Sequence, residues 1–263
     1  KSRHLIYEGL LIIKGLDKLI GRGAQADDYA VDNKAYKVFK KHCSKAGVFY
    51  EASINSMAES LNLPVPKIYE VIQIENRMAI VMELIEGTSM KEIVLNDMEN
   101  LNLYIDRVID LQMKIHSINI NVPVFPTMKE RLESRISQSP ILDASQKGNL
   151  LELLNGFDFG TSLCHGDFHL MNLIKTNQHI VIIDWVDATL GSPEADLCRT
   201  YLLYRLHAPK SFADKYLDLY CMKTNKSRDD ILKWLPIIAG ARLSEKNESE
   251  KDLLLQYYLP LVL

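Results

Sequence analysis

Leu163-Cys164-His165-Gly166-Asp167-Phe168-His169-Leu170-Met171-Asn172, followed by Ile180-Val181-Ile182-Ile183-Asp184-Trp185, is the stretch that decides the reading of this 263-residue chain. An apolar segment delivers Asp167 into a loop, Asn172 follows shortly after, and Asp184 ends the next apolar strand. Transfer of a phosphoryl group needs parts of this kind. A carboxylate must orient the acceptor hydroxyl and take its proton, and hard oxygen ligands must hold magnesium. Asp167 is thus the candidate catalytic carboxylate, and Asn172 and Asp184 are the candidate Mg2+ ligands. A lone Asp in a loop is more often a turn residue or a cap, so the rest of the chain has to support the chemical reading.

Upstream, residues 16–20, 28–31 and 35–39 are short segments punctuated by Gly21-Arg22-Gly23 and Asp32-Asn33, which predicts consecutive antiparallel strands. Residues 46–61 have helical character, with Phe49, Ala52 and Met57 available for one face. Pro64-Val65-Pro66 ends that helix, because proline cannot continue it and biases its predecessor to extended backbone. Another strand pair is expected over 67–73 and 78–84. The apolar run at 10–13 reads as a strand and not a signal peptide, since Glu8 and Lys14 interrupt it. Downstream, 101–118, 194–206, 213–222 and 229–243 read as helices, with Ser227 and Asp230 forming a capping box. The expected plan is a β-rich part over 1–86, a helical part over 87–263, and a joint near Ile85-Glu86-Gly87.

Composition narrows the function classes. Hydrophobic residues make up 47% and charged residues 25%, the balance of a soluble globular protein. A net charge of -3 and a pI near 6.2 give no support for nucleic-acid binding. No run approaches the ~20 apolar residues of a membrane span. Cys43, Cys164, Cys198 and Cys221 form no CxxC pair and read as buried thiols of a cytoplasmic protein rather than a disulfide frame.

The Asp167-to-Asn172 spacing equals that of the protein-kinase catalytic loop, and Asp184 occupies the place of the metal-binding Asp that follows it. His165-Gly166-Asp167-x-His169-x-x-Asn172 and Ile183-Asp184-Trp185 resemble the two signature segments of the aminoglycoside phosphotransferase family, which also includes choline, homoserine and fructosamine kinases. Gly191, Pro193 and Asp196 match its usual continuation, in which an Asp at the start of a helix braces the catalytic loop. Residues 234–243 resemble its C-terminal helices, and the likeness runs from about 16 to 255.

The resemblance implies an α+β, two-lobed, protein-kinase-like fold. Its N-terminal antiparallel β-sheet lobe carries one helix and holds ATP, and a larger, mainly helical C-terminal lobe follows. Lys37 would bind phosphate, with Glu51 as its ion-pair partner, although Glu59 on the same helix is an alternative. Val81-Met82-Glu83-Leu84-Ile85 resembles a kinase hinge, where the Glu83 carbonyl and the Ile85 amide would meet adenine. Gly21 and Gly23 would loop over the phosphates, with Ala26 where a third glycine often stands.

The implied activity is ATP- and Mg2+-dependent transfer to a hydroxyl of a small molecule: an amino sugar, an aminoglycoside, an amino alcohol or a related metabolite. No obligate protein partner is implied. A nucleotide-binding pseudokinase without turnover is the alternative, and retention of every magnesium and proton-handling residue speaks against it. A metal-dependent hydrolase built on His165, Asp167 and His169 ranks last, because it leaves Lys37 and Asn172 unexplained. Protein-kinase activity is disfavoured, since no activation segment separates Asp184 from the next helix. Residues 216–263 hold acidic and basic side chains in equal number, so no acidic wall for a polycation is evident. Asp28 departs from the family pattern, which usually has an apolar residue there. It either brings a carboxylate toward the nucleotide or points to solvent while Ala30 and Ala35 form the roof.

Overall fold

The computed structural model describes residues 18–245 and 247–258; the strand expected at 10–13 lies outside them. Two compact units emerge. One is built from the chain through Glu92 together with Met171–Val186, the other from Ile93–Leu170 together with the chain from Asp187 onward. An antiparallel-sheet unit and a mainly helical unit make up the α+β plan that the sequence predicts.

The first unit is organised by a five-stranded sheet in the order β1-β2-β3-β5-β4. Its strands are β1 (Leu19–Arg22), β2 (Ala26–Val31), β3 (Lys34–Phe39), β4 (Ile68–Ile74) and β5 (Arg77–Glu83), every neighbouring pair antiparallel. Strand alternation separates two apolar sets. Tyr36, Val38, Ile74, Ala79 and Val81 pack with Tyr29, Val31 and Ile72. Ala26, Phe39 and Ile80 pack with Val48 and Ala52 of the helix Lys45–Ser60. That helix begins at Ser44, whose hydroxyl accepts the Gly47 N–H at 3.0 Å. It buries Val48, Glu51, Ala52, Ile54, Asn55 and Ala58. Phe49, expected on the inner face, is instead exposed, with the Lys45 ammonium over its ring. A short sheet of β6 (Thr88–Ser89), β8 (Leu173–Lys175) and β9 (Ile180–Ile182) completes the unit.

In the second unit the helix Leu101–His116 buries Ile105, Val108, Ile109, Gln112, Ile115 and His116. The helix Pro193–His207 is buried from Ala195 through Tyr204, almost without an exposed face. β7 (Ser162–Cys164) pairs antiparallel with β10 (Thr189–Gly191). The single helix expected over 229–243 is two, Arg228–Leu232 and Leu235–Arg242. Pro236 at the start of the second cannot donate into a continuous ladder. The Ser227–Asp230 capping box is present as expected. No helix among the described residues is long and apolar enough to cross a membrane.

Candidate active site

In the first unit the register sets Lys37 opposite Asp28 on one side and Ile80 on the other. These three therefore share the sheet face that carries Ala26, Ala30 and Ala35. Lys37 Nζ lies 2.6 Å from Glu51 Oε1 and 3.3 Å from Asp184 Oδ1. Glu59, the alternative partner, instead accepts the Ile68 N–H. Burial works to lower the Lys37 pKa, but the charges of Asp184 and Glu51 outweigh it and hold the ammonium firmly charged. Burial pushes the Glu51 carboxyl up, and the Lys37 charge pulls it back.

Asn172 and Asp184 arrive by way of a hairpin. Leu173 pairs with Ile182 in the β8–β9 ladder, and the Ile183 N–H donates to the Asn172 carbonyl at 2.9 Å. The two candidate ligands consequently stand at one end of the same ladder. Asp184 sits at φ +62°, a left-handed conformation that costs a non-glycine residue on the order of 1–2 kcal/mol. Such strain tends to persist where the surroundings hold a side chain for use. A carboxylate and an amide are hard oxygen donors, which fits Mg2+ better than a softer metal.

Gly21 stands opposite Asp28, and a Cβ there would come within 3.0 Å of Asp28 Oδ2. The carboxylate thus lies under the glycine turn, on the Lys37 side, and only half-buried. Burial pushes its pKa up, Lys37 pulls it down, and Asp184 and Asp27 add to the rise. Gly23 donates to the Ala26 carbonyl at 2.8 Å, and its own carbonyl accepts from Lys40 Nζ. Glu83 ends β5, with its N–H on the Lys67 carbonyl and its carboxylate accepting the Lys67 N–H. Ile85 follows in irregular backbone. Trp185 is fully buried, its indole N–H donating to the Ile182 carbonyl at 3.2 Å.

In the second unit β7 leads through His165 and Gly166 to Asp167. Gly166 adopts φ +77°, and a Cβ there would press into the backbone of Asp187, so glycine is required twice over. The loop is held from the helix Pro193–His207. Asp196 Oδ1 accepts the Gly166 N–H at 2.7 Å, and its Oδ2 takes the His165 N–H at 3.4 Å and His116 Nε2 at 2.9 Å. Burial raises the Asp196 carboxyl, but the His116 hydrogen bond and charge and the Gly166 N–H bring it below the usual range. His165 is buried and accepts the Asp167 N–H at 3.2 Å, a structural task.

Asp167 Oδ2 lies 3.3 Å from His169 Nε2, and Oδ1 lies 3.5 Å from Arg199 Nη2. Burial would raise its pKa, yet the His169 hydrogen bond and the Arg199 charge hold it well below the usual carboxylate range. Asp187 is a hub, 3.0 Å from Arg131, 2.6 Å from Arg135 and 3.6 Å from Arg199. Sequence reasoning missed His116, Arg131, Arg135, Arg199 and Glu245. The one available signal was Arg199 three residues after Asp196, on the same helical face. His165 and His169 do not join a metal-type cluster. Among the described residues that description fits His116, Cys164 and Asp196, all buried.

An antiparallel-sheet unit followed by a mainly helical unit is a protein-kinase-like fold. The model of the phosphotransferase enzyme family matches residues 18–232, and the chain belongs to that family. A LicA homolog of Metamycoplasma hominis is 27% identical over 157 residues, covering 59% of this chain and 60% of that protein, so the match spans well under its full length. Among solved structures, choline kinase LicA from Streptococcus pneumoniae superposes with a TM-score of 0.62 at 19% identity, covering 99% of this chain and 97% of that one. A thermostable mutant of aminoglycoside phosphotransferase APH(4)-Ia, in ternary complex with AMP-PNP and hygromycin B, gives a TM-score of 0.70 at 12% identity, covering 98% and 97%.

Proposed function

We propose that the protein transfers the γ-phosphoryl group of ATP to a hydroxyl of a small molecule, in the cytoplasm. The observation that carries this reading is the Lys37 ammonium held between Glu51 and Asp184, with Asn172 at the same end of the β8–β9 ladder. In this reading residues 1–86 bind nucleotide and 87–263 supply catalysis and the acceptor site. Gly21 and Gly23 cover the phosphates, Lys37 binds them, and Glu51 keeps Lys37 in place. The Glu83 carbonyl and the Ile85 amide meet adenine. Asn172 and Asp184 hold Mg2+, which supplies charge neutralisation on the phosphates when bound. Asp167 orients the acceptor hydroxyl and receives its proton as the bond to phosphorus forms.

The acceptor we favour is an amino alcohol or a sugar over a polycation. Asp187 and Glu245, the carboxylates nearest to Asp167 through Arg199, are already engaged by guanidinium groups. A polycation would have to displace those guanidinium partners, which are only partly exposed, before it could use either carboxylate. The test is ADP release from ATP, with and without Mg2+, in the presence of choline, glucosamine, hygromycin B or gentamicin. Magnesium-dependent release stimulated by choline or glucosamine is expected. Release no greater than that of Asp184→Ala with every acceptor would reject turnover and leave a nucleotide-binding module.

A further inference from the structure

The helix Pro193–His207 holds Gly166 at both of its polar ends. Asp196 accepts the Gly166 N–H. One turn further on, Arg199 donates through Nε to the Gly166 carbonyl oxygen. The other arm of the same guanidinium, Nη2, faces three carboxylates: Glu245 at 3.1 Å, Asp167 at 3.5 Å and Asp187 at 3.6 Å. The Arg199 side chain is only 8% exposed, so these partners stand in for water. Two of the carboxylates are themselves anchored. Asp187 takes Arg131 and Arg135, and Glu245 takes Arg135 at 3.5 Å and Arg242.

We propose that Arg199 is a positioning residue for phosphoryl transfer, fixing the Gly166 peptide and the Asp167 carboxylate in one orientation with Asp187 and Glu245 as its anchors. This rests on reading Asp167 as the carboxylate that orients the acceptor. A planar guanidinium can meet the carbonyl through Nε and the carboxylates through Nη2 at the same time. An ammonium supplies the charge but cannot span both directions. His169 approaches the opposite oxygen of Asp167, so the carboxylate is held from two sides and Arg199 sets its rotation. A misplacement near 1 Å at a reacting group lowers turnover by about 10²-fold.

The test compares wild type, Arg199→Lys, and the double variant Arg199→Gln with Glu245→Gln. The double variant removes one anion along with the cation, which protects folding. ADP release from ATP–Mg2+ is measured with water and with choline as the acceptor probes, beside calorimetric ATP affinity and Tm. The expected result is a kcat lowered tenfold or more in both variants, with ATP affinity and the KM for ATP within twofold of wild type. A kcat within twofold in Arg199→Lys overturns the proposal. Parallel loss of kcat and ATP affinity also overturns it, because Arg199 would then be serving the fold alone. Should wild type release no ADP with choline, glucosamine, hygromycin B or gentamicin, the proposed function fails, and crystal structures of wild type and Arg199→Lys decide the positioning separately. A rotated Gly166 peptide or Asp167 carboxylate in the variant supports the assignment, and an unmoved loop rejects it.

Discussion

Asp167 is burdened with opposing demands. Burial favours the neutral acid, while His169 and Arg199 keep it charged. Asp167→Asn keeps the shape and removes the charge, so ATP affinity should stay near that of wild type while kcat falls by about 10²-fold or more. Near-normal kcat in the folded variant would mean that another group receives the proton. Asp184→Ala removes one counter-charge from Lys37 and, in the proposed function, one charged oxygen from the metal. Metal-dependent turnover should vanish, and a magnesium titration unchanged from wild type would move the metal elsewhere. Asp28 shares the Lys37 side of the sheet with Ala30 and Ala35 and is half-buried there. A carboxylate there opposes a triphosphate by only about 0.5 kcal/mol for each charge pair ~8 Å apart in water-like surroundings. Asp28→Val should therefore tighten ATP several-fold by removing repulsion and adding apolar contact. Equal affinities by calorimetry at low salt would refute this.

The helix Pro193–His207 carries both braces of the loop through Gly166, Asp196 and Arg199, within its first two turns. Its start is fixed by Ser192, whose hydroxyl accepts the Ala195 N–H at 3.3 Å and donates to Glu194 at 2.8 Å. Pro193 at the first position and acidic residues in the first turn suit the helix N-terminus. Ser192→Ala should destabilise the protein by about 1 kcal/mol, read in chemical denaturation. Because the cap orients the turn holding Asp196, kcat should fall as well, with the KM for ATP unchanged. A loss of stability with no change in kcat would show that the loop does not depend on this cap.

Across the whole molecule, acid stability has two signs. Asp167, Asp187 and Asp196 are all held below their ordinary range, with burial outweighed by His169 and Arg199, by Arg135 and Arg199, and by His116 respectively. Each contributes stability that is fully present above the unfolded value of about 3.9 and is lost as pH falls through the folded pKa. Asp28 is raised, chiefly by burial. Its contribution is present below the unfolded value and is lost as pH rises through the folded one. The depressed carboxylates, these three and others such as Glu194 and Glu250, outnumber the raised Asp28 and Glu51, so the urea midpoint should be level near neutrality and fall below about pH 4. Asp187→Asn should make the acid decline shallower. A midpoint that rises on acidification would contradict the assignment.

The candidate site residues stand close to one another in the chain, which is why a sequence motif could single them out. Asp167, Asn172 and Asp184 lie in the stretch that the sequence predicts as one strand–loop–strand unit and that folds as three short strands, Ser162–Cys164, Leu173–Lys175 and Ile180–Ile182, and Lys37 lies on a strand two turns past a glycine pair. Periodicity likewise marked the long helices, while Thr127–Glu130 and Asp143–Gln146 were capping boxes that opened two helices left unread, Met128–Gln138 and Ala144–Asn155. What could not be read from one dimension was which charged side chains meet. His116 reaches Asp196 across 80 positions, and Arg135 reaches Asp187 across 52. An isolated arginine on a helix carries no local pattern that distinguishes a solvated charge from a buried brace. Only packing decides that, because burial removes water and forces each charge to find its counter-ion.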